Sequence, residues 1–371
     1  MRILRVSYRV SPEPGGKERH VECLTREQLK RGHDVALAFR RGAAVDGSVV
    51  LPLRPITLSR VLASKSDVLA FAAETAGALP RVGGIDLVHL HGDHVEAGVL
   101  GRACRRLGVP LVLTVHGALN LRNRRFVRWA FGGVGAFIAL GSRTAGDLVV
   151  AGVDPDRILT ISSGLDLAQL DRFSAGPAAR EPGLIVSVGS LETVKNHALL
   201  IEAIHALRRT RPEIRLVIAG DGPERDRLQR LAGTDHHAVT LAGPLAREDV
   251  YRLVRRAQVF VLASRRLTEK GEGVPTAALE ALALGTPAVL SSEASLDPVV
   301  PDRGTYRTFA SGSVDDLVRV LAAVLDDEES RLRMSELGRR AAAALDWTAV
   351  AHRIEDWYRV ALDADRRDRD A

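Results

Sequence analysis

The sequence predicts an α/β protein built from two doubly wound domains, and three observations carry that expectation. Apolar runs of strand length alternate with segments of helical period from end to end, the pattern of parallel sheets made from βαβ units. The chain is 371 residues long, with 46% hydrophobic and 26% charged side chains, more than one compact core accommodates. The apolar rhythm lapses at Asp166–Pro182, around Ser-Ala-Gly-Pro-Ala-Ala-Arg-Glu-Pro-Gly, and then resumes. The expected division is therefore residues 1–165, a linker at 166–182, a second domain at 183–345, and a C-terminal helix and tail at 346–371.

In the first series the expected strands are Ile3–Tyr8, Asp34–Phe39, Leu87–His91, Leu111–His116, Ala136–Leu140 and Ile158–Ile161. Helical periodicity falls at Glu18–Arg31, Leu62–Leu79, Val95–Leu107, Asn123–Phe131 and Arg143–Ala151. The second series has strands Leu184–Val188, Leu216–Ala219, Val239–Leu241, Val259–Leu262 and Ala288–Leu290. Helices are expected between them at Ala198–Arg209, Glu224–Leu231, Arg247–Arg255 and Pro275–Leu284, with helix throughout beyond Val314. Sheets of this kind bind ligands at the carboxyl ends of their strands, so the function is expected in a cleft that the two domains face.

Composition narrows the classes. The apolar content excludes a disordered chain, and two cysteines, Cys23 and Cys104, are too few for a disulfide scaffold, so both thiols are expected reduced. The chain opens without an apolar signal-like region, and its longest stretch free of charged residues is the 15 residues Leu107–Leu121. That is short of the roughly 20 a membrane-spanning helix needs, and the expectation is a soluble cytoplasmic protein. The net charge of +6 is unevenly spread: residues 1–175 carry 24 Lys/Arg against 16 Asp/Glu. The first domain therefore either meets something anionic or simply keeps a basic surface solvated.

Three strand-to-helix turns carry candidate chemistry. Gly15 and Gly16 precede the first helix, where backbone N–H groups can approach an anion, although a plain turn reads equally well. No spaced Gly-x-Gly-x-x-Gly is present, and Phe39-Arg40-Arg41 stands where a dinucleotide binder has a ribose-holding acid. In the second domain, Ser190 and Lys195 occupy the matching turn, and a lysine at a helix start can neutralise a diphosphate leaving group.

The third turn is Gly271-Glu272-Gly273-Val274-Pro275-Thr276, leading into Ala277-Ala278-Leu279-Glu280-Ala281-Leu282. Pro275 suits the first helical position, and the Gly273, Val274 and Thr276 amides would be donors without helical acceptors. Glu272 lies on the loop, and Glu280 about one and a half turns into the helix by the 3.6-residue repeat. A carboxylate among Ala and Leu needs hydrogen-bond donors, and paired ribose hydroxyls would supply them.

Glu272 and Glu280 together resemble the Glu-x7-Glu element of the retaining GT-B glycosyltransferases, the large bacterial family four, group 1, which includes sucrose-phosphate synthase. Other pieces match in order: Gly-Gly-x-Glu-Arg-His-Val from Gly15, Arg-Gly-His-Asp-Val from Arg31, Leu-Thr-Val-His-Gly from Leu113, Ser-Ser-Gly-Leu-Asp from Ser162. Lys195-Asn196-His197, Ala-Gly-Asp-Gly-Pro-Glu from Ala219, and Leu-Gly-Thr-Pro-Ala-Val from Leu284 follow. The resemblance covers essentially the whole chain and implies two Rossmann-like domains across a cleft, with the C-terminal helix crossing back to the first.

It further implies that Glu272 contacts the donor sugar, Glu280 the nucleotide ribose, Gly15 and Gly16 the diphosphate, and Lys195 the pyrophosphate. His116, after the fourth large strand, falls near the donor sugar. The family commonly has an arginine where this chain has Ser190, so phosphate binding is weaker, or Arg265 or Arg266 substitutes. The implied donor is a nucleoside-diphosphate sugar, a UDP-sugar ahead of a GDP-sugar, with no metal or other cofactor.

Other clusters read more blandly. His89 and His91 share a strand face with His94 nearby, but a metal is not expected there. His236-His237 reads as a polar loop, and Asp363-Ala364-Asp365-Arg366-Arg367-Asp368 as a frayed tail. Arg102, Arg105, Arg106, Arg122, Arg124, Arg125 and Arg128, interleaved with Phe126, Trp129 and Phe131, could rest on anionic lipid, grip an acidic acceptor or solvate a helix face. No stacking platform or groove-reading motif points to nucleic acid.

The expected function is a retaining transfer of a hexose-type sugar to a small polar acceptor. The alternatives are a lipid-linked acceptor with peripheral membrane contact, a nucleotide-sugar epimerase or hydrolase on the same fold, and a non-catalytic binding module.

Overall fold

The computed structural model describes residues 1–13, 15–174, 180–235, 237–268 and 271–370, with residues 364–370 in backbone only. His236, Glu269 and Lys270, and the side chains of the acidic-basic tail beyond Asp363, lie outside the described residues. The chain divides into two compact units, Met1–Gly164 with Trp347–Ala371, and Leu165–Asp346.

The first unit contains β1 (Arg2–Ser7), α1 (Gly16–Lys30), β2 (Asp34–Ala38), β3 (Val49–Val50), α2 (Thr57–Ala63), α3 (Asp67–Ala78), β4 (Leu87–His91), α4 (His94–Leu107), β5 (Leu111–Val115), α5 (Arg124–Phe131), β6 (Ala136–Leu140), α6 (Ser142–Val150) and β7 (Ile158–Ile161). The strands form one parallel sheet in the order β3-β2-β1-β4-β5-β6-β7. Strand order reverses between β1 and β4, the point at which doubly wound sheets open a ligand crevice. Leu87, Val88 and Leu90 of β4 and Leu111, Val112 and Leu113 of β5 are buried, as a parallel sheet covered on both faces requires.

The second unit contains α7 (Leu167–Ser174), β8 (Glu181–Val188), α8 (His197–Arg208), β9 (Arg215–Ala219), α9 (Arg225–Ala232), β10 (Val239–Gly243), α10 (Arg247–Arg256), β11 (Ala257–Leu262), α11 (Thr276–Ala283), β12 (Ala288–Ser291), β13 (Arg307–Phe309), α12 (Val314–Asp326) and α13 (Glu328–Ala342). Its sheet is parallel, in the order β10-β9-β8-β11-β12-β13, with the reversal between β8 and β11. The α/β class and the two doubly wound sheets expected from the alternation are both present.

The last helix, α14 (Trp347–Asp370), returns to the first unit. Trp347, Val350, Ala351, Ile354, Tyr358 and Ala361 pack on Ile3, Leu24, Leu87, Val112 and Ile138. This buried stripe recurs at helical spacing, which is why α14 is anchored along its apolar face. Its backbone stays helical to Asp370, where the sequence suggested a frayed tail.

Several boundaries differ from expectation for identifiable reasons. The single helix expected at Leu62–Leu79 is two, because Ser66 caps α3 by accepting from the Leu69 N–H at 3.3 Å. Within the segment read as linker, Leu170 is buried in the second unit's core, and Leu167 and Phe173 pack against it to make α7. The short strands β3 and β13 carry too few residues to show a period. Neither Cys23 nor Cys104 is in a disulfide.

Candidate functional site

Both switch points place chemistry at strand ends. In the second unit, β8 ends at Val188 and the chain turns through Gly189–Asn196 into α8. Gly220, at φ 146°, lets the turn after β9 press against this loop, since a Cβ there would sit 1.9 Å from the Gly189 carbonyl oxygen. Asn196 starts α8 in the left-handed region at φ 52°. His197 Nε2 lies 3.3 Å from the Ser190 carbonyl oxygen, and burial pushes the His197 imidazole down to about 4, so it donates as a neutral ring.

Lys195 folds back across Gly189 and pairs with the Glu272 carboxylate. The side chains are only 20% and 10% exposed, so the pair is largely withdrawn from water. The structure thus brings together the loop lysine after β8 and the loop glutamate after β11. Ser190 is exposed. Arg265 braces the same turn, its N–H donating to the Val194 carbonyl at 2.8 Å and its Nε to the Thr193 carbonyl at 3.1 Å, while Arg266 is exposed.

Pro275 is the N-cap of α11, not its first helical residue as expected, and the helix begins at Thr276. No side chain caps this end, leaving the first N–H groups without helical acceptors. Gly273 is half-buried and Val274 buried on the preceding loop. Glu280, the fifth helical residue, lies little more than one turn in. Its Oε1 accepts from the Tyr251 hydroxyl at 3.0 Å and lies 3.5 Å from Arg247 Nη1. Neither partner was identified from the sequence, although Arg247 and Tyr251 stand four apart on α10 and so share a face.

In the first unit, α1 starts at Gly16 with Gly15 as N-cap. The Glu18 carboxylate occupies the space beside Gly15, where a Cβ would meet its Oε2 at 2.1 Å, and it pairs with Arg9 Nε at 3.1 Å. The helix start expected to receive an anion therefore already holds one of the chain's own carboxylates. The Glu18 position was visible only as part of a motif, and the spatial partner Arg9 was not.

His116 follows β5, and its Nε2 lies 3.1 Å from His91 Nδ1. Its ring stands 5.1 Å from that of His20, edge-on. Burial first, then electrostatic interaction with the neighbouring His20 and Lys17, holds His116 well below the usual imidazole range. His89 is satisfied by Tyr358 Oη at 2.8 Å and Thr114 Oγ1 at 2.7 Å, which leaves its ring nitrogens engaged. Among the described residues no group of three or more His, Cys, Asp or Glu is arranged to hold a metal ion.

The arginine-rich region is split by the fold. Phe131 is buried, whereas Phe126 and Trp129 are 41% and 55% exposed, and the Arg102 guanidinium lies 3.4 Å over the Trp129 ring. Among the described residues no helix is long and apolar enough to cross a membrane.

Two family profiles match successive parts of the chain, Glycosyltransferase Family 4 over residues 14–169 and Glycosyl transferases group 1 over 171–341. The chain belongs to this family of glycosyltransferases. It is 28% identical to the glycogen synthase of Mycobacterium tuberculosis, covering 99% of this chain and 96% of that protein. It is 26% identical to the D-inositol 3-phosphate glycosyltransferase of Corynebacterium efficiens, covering 98% and 96%. The structure of Anabaena HepE in complex with UDP superposes with a TM-score of 0.73 at 17% identity, covering 96% of this chain and 99% of that one. The GT-B architecture of two Rossmann-like domains is thereby shown.

Proposed function

We propose that this glycosyltransferase moves a hexose-type sugar, with retention, from a nucleoside-diphosphate sugar to a small polar acceptor. The observation that carries the reading is the Lys195–Glu272 pair: one cation and one carboxylate, in contact, at the carboxyl ends of two adjacent strands. Such a pair can serve the two halves of a sugar diphosphate, the lysine the leaving group and the glutamate a sugar hydroxyl. UDP is the first candidate nucleotide and GDP the second, the former in keeping with the UDP held by Anabaena HepE.

In this mechanism the bond from the anomeric carbon to the diphosphate oxygen breaks as the acceptor oxygen bonds to the same face of that carbon. The acceptor proton passes to the departing diphosphate. Lys195 and the amides of Gly273, Val274 and Thr276 stabilise the charge that develops on it, with no metal. Glu280 holds the ribose, exchanging its contact with Tyr251 for ribose hydroxyls. His116 is assigned to the donor sugar and Gly15 and Gly16 to the diphosphate, Glu18 giving way. A cytoplasmic location belongs to the same reading.

A lipid-linked acceptor is the second reading, favoured by the exposed Phe126 and Trp129 among arginines. Co-sedimentation with anionic vesicles at physiological salt separates the two. Salt-sensitive binding lost on Arg124→Ser, Arg125→Ser and Arg128→Ser supports the lipid reading, and no binding supports the small acceptor. A thermal-shift panel of nucleoside diphosphates and their sugars tests the donor, because a ligand of the native state raises Tm. Nucleotide release that requires added acceptor separates transfer from hydrolysis, epimerisation and mere binding.

A further inference from the structure

The first unit's switch point holds an open cavity of about 490 Å³, within the range of small-molecule sites. It is lined by residues that follow β1, β2, β4 and β5, among them Arg9, Lys17, Arg41 and His116. Arg9 and Arg41 pair directly across an isolated parallel bridge, with Val10 N–H donating to the Arg41 carbonyl at 3.0 Å. Glu18 takes the Nε edge of Arg9. Among the described residues, neither the Lys17 nor the Arg41 side chain has a hydrogen bond or an ion pair.

The acidic side of the cavity does not cancel this charge. Asp93 and Glu96 line it together, Asp93 N–H donating to Glu96 Oε2 at 3.2 Å. Burial, reinforced by the neighbouring Asp93 carboxylate, pushes Glu96 up to about 8, so at neutral pH it keeps its proton. The cations therefore outnumber the ionised carboxylates around the cavity.

We infer that Arg9, Lys17 and Arg41 form an anion subsite that holds a phosphoryl group on the acceptor, with Asp93 and Glu96 left to its hydroxyls. Three cations from three segments match the three terminal oxygens of a phosphate monoester, whereas one forked guanidinium satisfies a carboxylate. The inference takes its acceptor from the transferase reading, but the binding site can be tested without it.

The test is calorimetric titration of the full chain with inorganic phosphate and, separately, acetate, before and after saturation with the nucleoside diphosphate it binds best. Phosphate is expected to bind in both states and acetate in neither. Arg41→Ser and Lys17→Ser should each weaken phosphate binding about tenfold, the size of one charge-assisted hydrogen bond, with nucleotide affinity unchanged. Phosphate binding that vanishes on nucleotide saturation would assign the cations to the donor diphosphate and overturn the proposal. Binding that is absent, that survives both substitutions, or that acetate matches would overturn it as well. Failure of every nucleoside diphosphate to bind would defeat the transferase reading instead, and the titration of the free chain would still decide the subsite.

Discussion

The Lys195 ammonium rests on the Glu272 carboxylate, although the two residues belong to different βα loops of the second unit. Removing one partner of a largely buried ion pair leaves the other without compensation. Each substitution at this pair therefore acts on its neighbour as well as on the ligand.

Lys195→Ala is expected to lower kcat by about 10² or more, the usual size of a single electrostatic stabiliser of a leaving group. Glu272→Ala should spare nucleoside diphosphate binding and abolish turnover of the intact sugar donor, whereas Glu280→Ala should weaken the nucleotide itself. Steady-state kinetics beside nucleotide calorimetry separate these. Equal, small effects of both glutamate substitutions would remove the division of labour, and an unchanged kcat in Lys195→Ala would give the leaving group to another cation.

Tyr251→Phe probes the partner of Glu280. Its hydroxyl donates to Oε1 at 3.0 Å. If the ribose replaces that bond, the substitution removes a donor that competes with it, Arg247 staying beside the carboxylate, and nucleotide affinity stays within a few-fold of wild type, while stability falls by about 1 kcal/mol for the lost hydrogen bond. A nucleotide affinity reduced as far as in Glu280→Ala would instead make Tyr251 part of the binding surface.

The stacked histidines of the first unit make it sensitive to acid. Burial, with Arg5 nearby, pushes His20 down to about 3, and burial foremost holds His89, His91 and His116 well below 6.5. The unfolded chain takes up protons below about pH 6.5 while these rings stay neutral, so stability falls as pH drops from there toward 3. Each ring contributes a slope of up to about 1.4 kcal/mol per pH unit. Denaturant melts of His20→Gln between pH 6 and 4 should show a slope shallower by about that amount. Parallel curves for variant and wild type would contradict it.

Glu96 has the opposite sign. Its carboxyl rises from 4.5 to about 8 on folding, so between those values the unfolded chain loses a proton that the native chain keeps, and stability declines as pH rises through that window. Glu96→Gln keeps the helix-capping oxygen without the ionisation. Its Tm relative to wild type should therefore climb from pH 5 to pH 8, and a constant difference would show that Glu96 is ionised in the native chain.

The parallel sheets were largely legible because their strands are short apolar runs closed by polar or glycine-containing turns. Leu87–His91, Ala136–Leu140 and Ile158–Ile161 have the boundaries the sequence suggests. The spacing of Leu167, Leu170 and Phe173 held a helical signal that the surrounding Gly, Pro and Ala obscured. The loop positions of Lys195 and Glu272 and the helical position of Glu280 could be read from strand-turn-helix order. Their partners could not, since Arg9 with Glu18, and Arg247 and Tyr251 with Glu280, meet only through packing.

The central claim is a retaining transfer, and the anomeric configuration of the product tests it most directly. With the nucleotide sugar that the thermal-shift panel selects and an acceptor that releases nucleotide from it, proton NMR of the first-formed glycoside should show the donor's own anomer. An inverted anomer would contradict the account, because it requires a base that removes the acceptor proton on the opposite face, a role that neither Lys195 nor the departing diphosphate fills.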